Sequence, residues 1–234
     1  VFDSAALRAR LNGVRERIAR AASRAGRDPG SIRLIAVSKT FPLDAIRAAA
    51  DAGQIDFGEN KIQEGLQKIA ETHDLALRWH LIGHLQSNKA KKATAFDSVH
   101  SVDAAELLTK VNEAAAAAGR TLDALIQVDF AREPTKHGAT PDQVAAILAA
   151  ASRCEAARIR GLMVLPPAAA DPEGARPFFR ALRALRDERI AQGEDPGRLP
   201  ELSMGMSHDF EVAVEEGATM VRVGSAIFGN RTYF

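Results

Sequence analysis

The apolar positions of this chain change period along its length. Between residues 4 and 25, Leu7, Leu11, Val14, Ile18 and Ala21 recur at steps of three and four. That spacing marks one face of a helix, and Gly26, Pro29 and Gly30 close it. Residues 33–38 then form a short apolar run of strand length. From there strand-like and helix-like segments alternate. A helical 42–52 stops at Gly53, and 55–58 is a short strand. Asn60 is placed to cap a helix carrying Ile62, Leu66 and Ile69. A strand at 78–82 leads into a basic helical stretch reaching about Ala95, and 98–102 is the next strand.

The second half repeats the alternation. Asp103, with Glu106 three residues on, reads as a capping box for a helix bearing Leu107, Leu108 and Val111. A strand at 125–128 precedes a helix opened by Thr140, Pro141 and Gln143, with Val144, Ile147 and Leu148 on its apolar face. A strand at 159–164 is followed by a long helix over 172–191, with Phe178, Leu182, Leu185 and Ile190 inward. A strand at 201–204 precedes a helix from Ser207 to Glu216, closed by Gly217. The last strand is 220–223, followed by Ile227, Phe228 and Gly229. Strands alternating with helices predict parallel βαβ units. Eight of them favour one α/β domain over 1–234, a (β/α)8 TIM-like barrel with an extra N-terminal helix, over a doubly wound open sheet.

Composition narrows the class. With 234 residues and 46% hydrophobic positions, the chain can bury a large core without disulfides or metal staples. Lys+Arg 31 against Asp+Glu 30 leaves a net charge of +1, which argues against a nucleic-acid partner. No apolar run approaches a membrane span, and the first residues lack the layout of a signal peptide. The single Cys154 has no disulfide partner within the chain, which suits a cytoplasmic protein.

In such a barrel, chemistry sits at the C-terminal ends of the strands. Lys39 ends the first strand. Burial would disfavour its ammonium form and free an amine able to form a Schiff base; a lysine there also reads as one reaching to water. Gly205 to Ser207 and Gly224 with Ser225 form small-residue turns after strands seven and eight. Their backbone N–H groups could approach a phosphate. Together these features suit a compound with an aldehyde and a phosphate, such as pyridoxal phosphate or a sugar phosphate. No metal site is expected: His80 and His84 are four apart, but His80 falls on a strand and no Glu follows it. Asp129 and Arg222, at strand ends, are either an ion pair or pocket groups.

Six motifs in chain order carry a resemblance: Ile-Ala-Val-Ser-Lys-Thr at 35–40, Phe-Gly-Glu-Asn at 57–60, Trp-His-Leu-Ile-Gly-His-Leu-Gln-Ser-Asn-Lys at 79–89, Gly-Leu-Met at 161–163, Leu-Ser-Met-Gly-Met-Ser at 202–207 and Val-Arg-Val-Gly-Ser-Ala-Ile-Phe-Gly at 221–229. They resemble the pyridoxal phosphate homeostasis protein family, whose bacterial members are often called YggS-like and whose eukaryotic members are proline synthase co-transcribed homologues. The resemblance implies a fold-type III barrel like the N-terminal domain of alanine racemase, without its C-terminal β domain. It implies that Lys39 holds pyridoxal 5'-phosphate as a covalent aldimine. Ser207, Gly224 and Ser225 would bind the phosphate, Arg222 would lie near the pyridine nitrogen, and Asn60 and Met204 would line the pocket. Where the family pattern has Gln-Val-Asn, this chain has Gln127, Val128 and Asp129.

The resemblance also implies binding, buffering and delivery of the cofactor to apo-enzymes, with no established catalytic residues. An arginine at the pyridine nitrogen is a permanent cation and leaves the ring a weaker electron sink than a carboxylate would. Alanine racemases add a tyrosine base, and the one tyrosine of this chain is Tyr233, next to its end. A pyridoxal-phosphate racemase of low activity is the alternative. A Schiff-base aldolase acting on a sugar phosphate is a more distant one, with Glu59 as the only nameable acid near Lys39. The missing β domain, a main dimer contact in alanine racemase, points to a monomer.

Overall fold

Parallel strands must have both faces covered, and the alternation in the sequence supplies a helix after most strands to do so. The computed structural model describes residues 3–131 and 137–229; Tyr233 lies outside the described residues. The strands are β1 (Arg33–Val37), β2 (Asp56–Glu59), β3 (Arg78–Leu81), β4 (Ser98–Val102), β5 (Leu122–Val128), β6 (Ala157–Val164), β7 (Glu201–Ser203) and β8 (Met220–Val223). All pair in parallel, each with the next, and β1 pairs with β8 to close the barrel. The open doubly wound sheet is excluded by that closure.

Nine helices surround the barrel among the described residues: α1 (Ser4–Arg24), α2 (Leu43–Asp51), α3 (Ile62–Glu71), α4 (Ala90–Ala93), α5 (Ala105–Ala117), α6 (Pro141–Ala151), α7 (Arg176–Ala191), α8 (Phe210–Glu215) and α9 (Ser225–Phe228). After β8 the described residues make only the four-residue α9. α1 packs against α2, α8 and α9, so it fills the place in the outer ring that a full helix after β8 would occupy. Its apolar stripe is buried as expected, and Asp3 caps it by accepting from the Ala6 N–H at 2.9 Å. Arg17 ties α1 to α8 through Glu211 at 2.8 Å and lies over the Phe210 ring.

Alternation along the strands divides the core in two. Outward residues such as Ala36, Phe57, Leu81 and Val99 join the helices in the main apolar core. The inward apolar set is small: Ile35, Leu125, Met163 and Met220. Much of the remaining interior is polar, with His80, His100, Ser203 and Arg222 all buried.

Several local expectations shift. α3 starts after Lys61 without a side-chain cap, so Asn60 is not its cap. α5 starts after Ala104, and Asp103 accepts no capping bond there. The capping box of Thr140 and Gln143 is present. β5 begins at Leu122, three residues before the apolar run suggests, because exposed Asp123 breaks that run and a register shift follows at Ala124 and Leu125. The basic stretch is only a 3-10 turn (Ser87–Lys89) and the single-turn α4. The segment expected to be one helix from 172 opens with a 3-10 turn (Pro172–Ala175). The tighter winding of that turn rotates the stripe, and Phe179 rather than Phe178 is fully buried. Ser207 does not cap α8, which follows Asp209. No described helix is long and apolar enough to cross a membrane.

Gly65 of α3 faces Phe96, and a Cβ there would overlap the Phe96 ring and stand 3.4 Å from the Glu59 Cβ. Overpacking of this kind costs about 1–3 kcal/mol, against roughly 1 kcal/mol gained from alanine's helix propensity. Gly65→Ala should therefore lower the urea midpoint; a raised midpoint would show that the Phe96 ring yields freely.

Candidate active site at the C-terminal mouth of the barrel

A cavity of about 800 Å³ opens at the C-terminal ends of the strands. Lys39, Asn60, Ser207, Arg222, Gly224 and Ser225 all line it. Met204 does not: it is fully buried in the main core, and exposed Met206 lines the cavity instead. The cause is the tight turn at Gly205, where φ is +91° and a side chain would stand 2.9 Å from the Phe210 Cα. Asp129 lies just past β5 outside the lining, and its Oδ1 accepts from the Ala131 N–H at 3.0 Å.

Lys39 sits on a turn held from behind. Thr40, the next residue, is the one described non-glycine residue with positive φ, at 69°. That conformation is costly for a β-branched residue. Glu64 accepts the Thr40 N–H at 2.5 Å, Lys68 donates to the Ser38 carbonyl at 2.8 Å, and the Ser38 hydroxyl donates to Glu59 at 2.6 Å. Lys68 in turn bridges Glu59 at 2.8 Å and Glu64 at 2.7 Å. This triad, with Glu59 and Lys68 buried and Glu64 half-buried, therefore grips the residues on both sides of Lys39. Burial pushes the Glu59 carboxyl above its ordinary range, more than Lys68 and Ser38 pull it down. For Glu64 burial also raises, but Lys68 and the Thr40 N–H prevail and the carboxyl is lowered. Glu59 points away from the barrel axis, by alternation with inward Gly58, and does not line the cavity. The acid that an aldolase reading would place beside Lys39 is thus committed elsewhere. Sequence reading missed Glu64 and Lys68, although their spacing of four on an amphipathic helix was visible.

Across the cavity, β8 presents Arg222. Its Nη1 donates to the Ser203 Oγ at 2.6 Å and its Nη2 to the Val164 carbonyl at 2.9 Å. Burial lowers its pKa to about 10, with Asp209 opposing, so it remains a cation at neutral pH. The two small-residue turns are laced together: the Ser207 Oγ accepts from the Gly224 N–H at 3.1 Å and the Ala226 N–H at 3.4 Å. Having accepted twice, that hydroxyl keeps its own proton as a donor. Asp209, held by the Met206 N–H at 2.6 Å, fixes the start of the same turn.

His84 and His137 stand at the rim with rings stacked at 3.6 Å and 10°. Burial, then His137, lowers the His84 pKa, and Asp103 opposes. Donor atoms of His84, Asp103 and His137 lie within 4.8 Å of one another. A cation in the plane of one stacked ring lies well outside the plane of the other, so both imidazoles could ligate it only after unstacking. His80 is inside the barrel, hydrogen-bonded to Asp56 and His100.

Residues 9–232 match the family model described as alanine racemase, N-terminal domain. The alanine racemase of Clostridium difficile superposes with a TM-score of 0.72 at 16% identity, covering 97% of this chain and 57% of that one, a likeness of fold alone. A curated relative from Aquifex aeolicus, named pyridoxal phosphate homeostasis protein, is 43% identical over 225 residues, 96% of this chain and 98% of its own length. The structure of PipY from Synechococcus elongatus with PLP bound is 40% identical with a TM-score of 0.84, covering 95% of this chain and all of the other, 100%. This is a barrel of the alanine racemase N-terminal class. Within that class, the chain belongs to the pyridoxal phosphate homeostasis protein family.

Removing one member of a buried ion pair strands the other and costs about 3–5 kcal/mol. Lys68→Met should lose stability of that order in chemical denaturation. Adding Glu59→Gln should recover part of it; no recovery would mean that the ion pair is not the source of the loss.

Proposed function

We propose that this chain binds pyridoxal 5'-phosphate, with Lys39 bonding its aldehyde carbon, and buffers and delivers the cofactor in the cytoplasm without efficient turnover. One observation carries the reading: an amine, a buried cation and two donor-rich turns open on one cavity. Lys39 supplies the amine. Arg222 offers N–H donors towards a ring nitrogen, and among the described residues two of its five N–H groups are seen bonded, to Ser203 and Val164. The Ser207 hydroxyl, Ser225 and the Gly224 turn suit a phosphate, and Asn60 completes the wall. The residues present therefore fit the group.

Bound pyridoxal phosphate supplies an electrophilic aldehyde and an electron sink. The protein's own part is to hold and orient it. Arg222 stays charged and can only donate, so a ring nitrogen facing it would accept that bond and stay unprotonated, which keeps the sink weak. Beside the Lys39 turn, Glu59 and Glu64 are bound to Lys68 and the turn and do not line the cavity. Both features favour retention over chemistry. The relatives' name and the PLP-bound PipY support this reading. Apo-enzymes that need the cofactor are the proposed recipients, and a monomer the proposed state.

The purified protein should take up the cofactor with a near-visible absorption band that borohydride locks onto Lys39, read by peptide mass spectrometry. Lys39→Ala should lose that band yet keep weak binding through the phosphate turns. A full band in the variant would refute the lysine assignment, and no uptake by the wild type would refute the whole reading. Incubation of the loaded protein with alanine in heavy water should give negligible deuterium at the α-carbon. Rapid exchange with loss of optical purity would establish a racemase instead.

A further inference from the structure

The interior of a (β/α)8 barrel is ordinarily packed with branched apolar side chains. Here a line of polar ones crosses it. Asp56 on β2, His80 on β3, His100 on β4, Ser203 on β7 and Arg222 on β8 are all buried. Consecutive members are hydrogen-bonded: Asp56 Oδ1 to His80 Nε2 at 2.8 Å, His80 Nδ1 to His100 Nε2 at 3.1 Å, His100 Nδ1 to Ser203 Oγ at 2.9 Å, and Ser203 Oγ to Arg222 Nη1 at 2.6 Å. The line starts in a second cavity of about 650 Å³ at the opposite, N-terminal mouth, lined by Asp56, Arg33, Arg78 and Glu201 among others. It ends at the floor of the cavity that holds Lys39.

We infer that these five residues form a directed hydrogen-bond relay that makes Asp56, at one mouth of the barrel, a positioning residue for Arg222 at the other. Donor and acceptor counting sets the direction. Arg222 can only donate, so Ser203 accepts from it. Among the described residues, the Ser203 proton has one bonded neighbour left to receive it, His100 Nδ1. Neutral His100 then carries its proton on Nε2 and donates to His80 Nδ1. His80 donates from Nε2 to Asp56. Counting from the other end agrees: an ionised Asp56 only accepts, and Arg78 holds it from outside at 2.7 Å. Burial first, and then the nearby Arg222 and Arg33 charges, keep His100 neutral.

Every N–H and O–H in the line points from Arg222 towards Asp56. Such chains polarise cooperatively, so the carboxylate strengthens Ser203 as an acceptor for Nη1. With Nη2 tied to Val164, the guanidinium has one orientation towards the cavity. Polar groups buried this way are costly compared with apolar ones, so five in sequence call for a use beyond packing. This role for Arg222 rests on the proposed cofactor site, whereas the relay itself does not.

The first test needs no cofactor. In ¹⁵N-histidine NMR of the cofactor-free wild type, at a pH above the imidazole range, His80 and His100 should both be Nε2–H tautomers. An Nδ1–H form of either ring overturns the relay. The second test titrates pyridoxal phosphate into folded variants. Asp56→Asn should weaken binding roughly three- to tenfold and shift the absorption band. Adding Ser203→Ala should abolish any further effect of Asp56→Asn, while Ser203→Thr, which keeps a hydroxyl, should restore it. Glu201→Gln removes a carboxylate from the same mouth but off the line, and should leave affinity and band unchanged. Equal effects of Asp56→Asn with and without Ser203, or equal effects of Glu201→Gln, would show a plain field effect and overturn the coupling. If the wild type took up no cofactor, the proposed function would fail while the tautomers still decided the relay.

Discussion

Closure of the sheet between β1 and β8 is the constraint on which the rest depends. The first and last strands are nearly two hundred residues apart, and their pairing sets Ile35 beside Arg222 and Ala36 beside Val223. In that register, Lys39 at the end of β1 and the Gly224 turn at the end of β8 open on the same cavity. An open sheet would place them on opposite edges. Closure also needs a complete outer layer, because parallel strands are covered on both faces. Among the described residues only the short α9 follows the last strand, and α1 covers that side from the other end of the sequence.

Two buried polar systems are built on that frame, one on each side of the wall. Outside it, Lys68 joins Glu59 and Glu64 and anchors the turn that carries Lys39, including the strained Thr40. Inside it, the line from Asp56 to Arg222 orients a guanidinium at the cavity floor. Both occupy volume that apolar side chains would fill at less cost. The common result is that the amine and the cation, the two groups that define the site, are each held from behind by bonds the cavity does not reach. Such fixing suits a protein that holds a ligand in one pose, since orientation is established before the ligand arrives.

The barrel itself was readable because each strand and helix announces its own period. Site positions were readable for the same reason, since strand ends locate Lys39, Asn60, Arg222 and the two turns. What escaped depends on small rotations and on long-range partners. Phe179 replaced Phe178 when a 3-10 turn opened the helix. Met204 turned into the core while Met206 met the cavity, because Gly205 reverses the chain between them. Ser207 resembles a helix cap by its type and place, but its oxygen serves the N–H groups of a different loop. Asn60 and Asp103 resemble caps by the same reasoning, yet α3 and α5 each begin one residue further on than a cap there requires.

Local sequence determined the elements, their order and the chemical types at the strand ends, because periodicity and turn chemistry act over a few residues. The match of six ordered motifs to the pyridoxal phosphate homeostasis family added an expectation for the site. Tertiary structure alone decided which polar groups meet. By sequence Glu59 is the one nameable acid near Lys39, and only its outward place on β2 against α3 brings it to Lys68 instead. His80 and His100 carry no signal of their connection, since they lie on different strands and bond only when the barrel brings those strands together. Hydrogen-bond partners separated by twenty to a hundred residues are fixed by closure and register, which no local pattern encodes.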